Sequence, residues 1–141
     1  MNWFSEKDEI NTSLLRLTFL DKSKKEYTDD LNAEILNNIF ANMAENTGNI
    51  IFIDINHHNE NDLQVEFGNN SCFISMGDEE EGEAYTYLNS DGDPDEFIDL
   101  IANSYPQNML CHNKEHLFTI LKTFIATGKP DSSFQWEITD M

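Results

Sequence analysis

Four β-type runs follow one another between Ile50 and Asn89, and the gaps between them dictate how they can pair. The runs are Ile50 to Asn56, Leu63 to Phe67, Cys72 to Met76 and Glu83 to Asn89, separated by six, four and six residues. A parallel connection needs about a dozen residues or more, so neighbouring strands here must run antiparallel. The first run, IIFIDIN, is dense in β-branched residues with Asp54 as its one charge, as a central strand would be. In the second, Leu63, Val65 and Phe67 alternate with Gln64 and Glu66, which predicts one face in the core and one in water. HHNEND and GDEEEGE supply polar turns.

Three further segments read as strands. Leu14 to Lys22 alternates, with Leu15, Leu17 and Phe19 on one side and Arg16 and Thr18 on the other; Lys22, Lys24 and Lys25 then form a solvated turn. Phe97 to Ile101 fits a helical face or a short strand, and Pro106 holds Tyr105 extended, which favours the strand. At the end of the chain Phe134, Trp136 and Ile138 alternate with Gln135 and Glu137, the first set on the core side. The residues before Leu14 are polar, with Trp3 and Phe4 as isolated anchors.

Two segments carry helical spacing. After Thr28-Asp29-Asp30, a capping sequence with acids at the positive end of the helix dipole, Leu31, Ile35, Leu36, Ile39, Phe40 and Met43 form an apolar stripe as far as about Glu45. Asn113 caps a second helix, Lys114 to Thr127, and Gly128 with Pro130 stops it. The expected fold is α+β: a mainly antiparallel sheet of about six to seven strands with two principal helices packed on it, forming a single domain over residues 1–141.

MNWFSEKDEINTS places acids where a secretory signal has a basic segment, and no apolar run approaches membrane length, so a cytoplasmic protein without membrane contact is expected. Cys72 and Cys111 are then two free, buried thiols.

Charge separates the middle of the chain from its ends. Twenty-seven acids and eight bases give a net charge of −19. Between Glu26 and Asn113 there is no Lys or Arg but nineteen acids, whereas the eight acids outside that window balance the eight bases. Such a field repels nucleic acid, anionic lipid and acidic substrates and accelerates encounter with a basic partner. It also exceeds the magnitude of about 2–8 that suffices to keep a small domain in solution.

Motifs for chemistry are absent. No glycine-rich phosphate loop, nucleophile elbow or recognised Cys-His pattern occurs. Asp91, Asp93 and Asp95 begin like a calcium loop, but Glu96 stands where glycine is needed and Ala102 where a bidentate acid is needed. His57 and His58 lie in a turn, and Cys111, His112 and His116 cluster without the further ligands zinc requires. Neither enzymatic activity, cofactor nor metal is expected.

The surface then carries the function. If the strand from Glu83 to Asn89 forms a hairpin with the next one, the acids from Asp78 to Asp99 crowd around Tyr85 and Tyr87. That would make a recognition face for Lys and Arg from Asp78, Glu79, Glu80, Glu81, Glu83, Tyr85, Tyr87, Asp91, Asp93, Asp95 and Glu96. Alternation leaves open whether the two tyrosines or Ala84, Thr86 and Leu88 face the core.

AYTYLNSDGDPDEF followed by FIATGKPDSSFQWE resembles the immunity proteins of bacterial polymorphic toxin and contact-dependent growth inhibition systems, in particular the immunity protein one family. Phe124, Thr127, Gly128 and Trp136 fit that family's helix end and following strand, with Pro130 one residue early; the resemblance covers roughly the last 60 residues. It implies a protein that binds a cognate toxin domain, often a nuclease or nucleic-acid deaminase, and suppresses it by stoichiometric contact. An acidic face would compete with phosphate for the toxin's Lys and Arg side chains. A nucleic-acid mimic would instead bind many basic proteins, and a small metal-dependent enzyme would lose activity to a chelator.

Overall fold

The computed structural model describes residues 3–5, 7–8, 14–19, 24–28, 32–45, 48–54, 61–68, 70–79, 81–100 and 103–140. Its strands are β1 (Leu14–Phe19), β2 (Lys24–Thr28), β3 (Gly48–Asp54), β4 (Asn61–Gly68), β5 (Ser71–Asp78), β6 (Glu83–Leu88), β7 (Phe97–Asp99), β8 (Ser104–Pro106) and β9 (Gln135–Asp140); its helices are α1 (Ala33–Glu45) and α2 (Lys114–Thr127). The architecture is the α+β arrangement expected, with two helices and antiparallel sheets. The main sheet has the order β2-β1-β3-β4-β5-β6-β9, and β7 pairs with β8 in a separate two-stranded sheet. Every pairing is antiparallel. Among the described residues no helix is long and apolar enough to cross a membrane.

Two local expectations are corrected. Lys24 and Lys25 do not make a turn: they begin β2, whose register pairs Lys24 with Thr18 and Thr28 with Leu14. Lysines on an outer strand protect it from pairing with other chains, so charge there is compatible with a sheet edge. Because Thr28 is still in the sheet, the cap of α1 passes to Asn32, whose Oδ1 accepts the Ile35 N–H at 2.9 Å. Lys22, Asp29, Asp30 and Leu31, like the HHNE turn with His57 and His58, lie outside the described residues.

One face of the sheet meets both helices. Leu63, Val65 and Phe67 of β4 and Cys72, Ile74 and Met76 of β5 point the same way, and pack in one cluster with Leu36, Ile39, Phe40 and Met43 of α1 and Leu117, Phe118, Ile120, Leu121, Phe124 and Ile125 of α2. Burial of each large side chain contributes about 1.5–3 kcal/mol. The N-terminal anchors join this core. Asn37 of α1 accepts the N–H groups of Trp3 and Phe4 at 2.8 and 2.9 Å and donates to the Phe4 carbonyl at 3.0 Å. Lys122 of α2 donates to the Trp3 carbonyl at 2.9 Å.

The opposite face is partly covered by the β7–β8 hairpin. Tyr105 stacks on Phe73 at 4.1 Å, and its hydroxyl donates to Glu66 Oε2 at 2.6 Å. Glu66, which alternation would leave in water, is therefore buried. Burial first, and then this hydrogen bond, push the Tyr105 pKa up to about 12.

The end of the chain is built by capping. Asn113 Oδ1 accepts the N–H groups of Glu115 and His116 at 2.9 and 3.3 Å. Gly128 takes the left-handed conformation, φ 71°, and its N–H closes on the Phe124 carbonyl at 2.7 Å. Asp131 then fixes the path into β9: its carboxylate accepts Thr123 Oγ1 at 2.6 Å and the Ser133 N–H at 2.8 Å, and its carbonyl accepts Trp136 Nε1 at 2.9 Å. Burial opposes its charge, but the hydrogen bonds from Thr123 and Ser133 outweigh it and lower its pKa below the ordinary 3.8.

A depressed carboxyl pKa contributes stability that is fully present above the unfolded value and is lost as pH falls through the folded one. The difference in stability between wild type and Asp131→Asn should therefore be constant above about pH 5 and shrink below about pH 4. Urea unfolding midpoints measured across that range check this; a difference that grows on acidification would contradict it.

Candidate partner-binding surface

β6 is the strand on which the candidate residues converge, and its pairing decides where they lie. Its neighbours are β5 and β9, not the strand that follows it. The acids before and after β6 therefore occupy opposite ends of a six-residue strand, roughly 17 Å apart. They do not crowd one region around the tyrosines, as a hairpin between β6 and β7 would have made them do.

Register also fixes which face each tyrosine takes. Tyr85 lies opposite Met76 and Ile138, and Tyr87 opposite Trp136, so both tyrosines are on the helix side of the sheet. Tyr87 is only 6% exposed, with Trp136 edge-on at 6.1 Å. Burial raises its pKa, and it offers no surface to a partner. Tyr85 is half-buried against the edge of the core and donates to Glu83 Oε2 at 2.6 Å. That bond, followed by burial and the charges of Glu83, Asp78 and Glu81, pushes its pKa up to about 12.

Asp78 is likewise an interior residue, 2% exposed. Its Oδ2 receives Lys129 Nζ at 2.8 Å and its Oδ1 the Glu81 N–H at 3.2 Å. Asn61 completes the join, donating to the Gly128 carbonyl at 3.0 Å and accepting the Glu79 N–H at 3.0 Å. This corner ties the end of α2 to the β5–β6 turn and lifts Glu79 and Glu81 into solvent. Glu80 lies outside the described residues.

The second group sits in the loop after β6. Asp91, Asp93, Asp95 and Glu96 are all exposed, and their backbone is held by short contacts. The Asp91 N–H donates to Asn89 Oδ1 at 3.1 Å, the Asp93 N–H to Gln107 Oε1 at 2.9 Å and the Asp95 N–H to Asp93 Oδ1 at 2.9 Å. A side chain at Gly92 would begin 2.6 Å from the Gln107 carbonyl and the Asn108 Cα, which accounts for glycine there.

β9 adds what the sequence left out. Ile138, expected in the core, is 56% exposed, although Trp136 of the same strand packs against the core. It stands directly opposite Tyr85, while Asp140 stands opposite Glu83. The result is a two-rung ladder, apolar on one rung and doubly acidic on the other. Like charges directly opposed across an antiparallel pair are destabilising, so the pairing of Asp140 with Glu83 costs the fold stability.

No three His, Cys, Asp or Glu side chains gather in metal-binding geometry among the described residues. His112 Nδ1 is hydrogen-bonded to Ser71 Oγ at 2.8 Å, and His116 packs against Phe134 at 5.1 Å, so the two rings take separate neighbours.

In overall shape the chain is similar to the crystal structure of a hypothetical protein from Neisseria gonorrhoeae, with a TM-score of 0.64 and 18% sequence identity, over 92% of this chain and 98% of that one. At that identity the likeness is one of fold. No curated protein matches the sequence. A family model does match, over residues 14–133, and the chain accordingly belongs to the family of unknown function DUF6911.

Proposed function

We propose that this protein is an immunity protein of a polymorphic toxin or contact-dependent inhibition system, acting in the cytoplasm by binding a cognate basic toxin domain, a nuclease or nucleic-acid deaminase. Inhibition is stoichiometric and needs no covalent step, cofactor or metal. The observation that carries this reading is the ladder at the outer end of β6 and β9, where Tyr85 and Ile138 lie beside Glu83 and Asp140 and close to the exposed Glu79 and Glu81. An Arg or Lys stem can lie on the apolar rung while its cationic head meets the acidic one. The exposed loop with Asp91, Asp93, Asp95 and Glu96, at the other end of β6, extends the attractive field without belonging to the contact.

The test is capture of partners on the immobilised protein from the lysate of its own cells, washed at low and then high salt, with bound proteins identified by mass spectrometry. The expected result is one basic toxin domain that survives high salt. A crowd of basic proteins released together by salt would replace this reading with that of a nucleic-acid mimic.

A further inference from the structure

The chain's two cysteines, 39 residues apart, are set face to face. Cys72 of β5 and Cys111 form an isolated antiparallel bridge in which each N–H donates to the other's carbonyl at 2.9 Å. Cys72 Sγ also reaches the Cys111 carbonyl at 3.5 Å, and both residues are buried as free thiols. Directly opposed residues of an antiparallel pair project to the same side of the sheet. In a hydrogen-bonded pair their Cα atoms lie about 5.5 Å apart, inside the window of about 4.4–6.8 Å that a disulfide spans. The Cβ atoms of such a pair are wider apart than the roughly 3.8 Å of a relaxed disulfide, so closure draws the backbones together and the bond formed is readily reduced.

We propose that Cys72 and Cys111 are a reversible oxidation site that closes to a cross-strand disulfide on exposure to a hydroperoxide. This stands independently of the immunity reading.

Cys111 is the attacking sulfur. It lies three residues before α2, and its pKa is lowered to about 7, first by the hydrogen bond from the Cys72 thiol and then, against the opposing effect of burial, by backbone groups at the start of the helix and the Tyr87 hydroxyl. Cys72 is shifted the other way by its bond to Cys111 and by burial, so it keeps its proton. The ionisable groups facing Cys111 are thus Cys72 from β5 and Tyr87 from β6, both neutral at pH 7.

The Cys111 thiolate attacks one peroxide oxygen, the O–O bond breaks, and the other oxygen leaves and is protonated to water. Cys72 then attacks the sulfenic sulfur, and the departing hydroxide takes the Cys72 proton to form a second water. Hydrogen peroxide and two thiols give one disulfide and two waters, with two electrons passing from sulfur to oxygen.

The reduced full-length protein is treated with hydrogen peroxide, unfolded in the presence of N-ethylmaleimide, and analysed by intact mass and peptide mapping. The expected product has lost two hydrogens, takes up no maleimide, yields a linked Cys72–Cys111 peptide and returns to the dithiol with dithiothreitol. Cys72→Ser should stop at a Cys111 sulfenic acid trapped by dimedone, and Cys111→Ser should react about tenfold more slowly or less. Two alkylatable thiols after peroxide, or separate sulfinic acids without a link, would overturn the proposal. Since serine in a buried site can impair folding, the wild-type peptide map alone is decisive.

Discussion

Phe40→Ala is expected to destabilise the protein by about 3–5 kcal/mol, the range for removal of a large aromatic from a packed core. Phe40 is fully buried, stacks on Phe118 of α2 at 4.7 Å, and meets Phe4 edge-on at 5.1 Å. The cavity would therefore open where α1, α2 and the N-terminal segment join. Domains of this size have about 5–15 kcal/mol of stability in total, so the loss is a large share of it. Ile138→Ala is the contrast: at 56% exposure it should change stability by about 0.5 kcal/mol or less. Urea unfolding of the two variants separates these cases, and a Phe40→Ala loss below about 1 kcal/mol would contradict the packing described.

The same contrast marks what the sequence could convey. Helical spacing found α1 and α2 because their apolar stripes are long, and the caps at Asn113 and Gly128 are local chemistry confined to a few residues. Short connections were enough to make the sheet antiparallel. Pairing partners were not legible: nothing near Glu83 reveals that β6 pairs with Gln135–Asp140, about fifty residues away, instead of with Phe97–Asp99. The layout of the candidate surface depends on that pairing. Pairing with β9 places the acids at two ends of β6, covers Tyr87, and sets Ile138 and Asp140 beside Tyr85 and Glu83, while Lys129 holds Asp78 in the interior. Alternation reports that a strand has two faces, but which face is covered, and how far along the sheet the cover extends, depends on the helices. Glu66 shows the same limit on the other side, buried by Tyr105 from a hairpin that the pattern of β4 cannot announce.

The second large effect is expected from charge reversal at the ladder. Glu79→Lys, Glu81→Lys and Asp140→Lys combined should slow association with the basic partner by a factor of about 10–1,000 at low salt, the range over which electrostatic steering acts. These three side chains are exposed, so the folded protein should survive the change. Asp91→Lys with Asp95→Lys, at the far end of β6, removes part of the same field without touching the ladder and should have a smaller effect. Ile138→Ala should accelerate dissociation with little change in association, because an apolar anchor contributes after encounter. Stopped-flow association and surface-based dissociation rates resolve the two steps. If the far-end pair weakened binding more than the ladder triple, the contact would lie on the Asp91 loop instead.

Whether the complex neutralises its partner one to one is decided by titrating the captured domain's activity against the purified protein. The expected result is a linear fall in activity on a nucleic-acid substrate that reaches its floor at about one equivalent and persists at high salt, as a tight one-to-one complex gives. Activity that remains at several equivalents, or inhibition that salt abolishes, would show that the acidic surface attracts the domain without neutralising it.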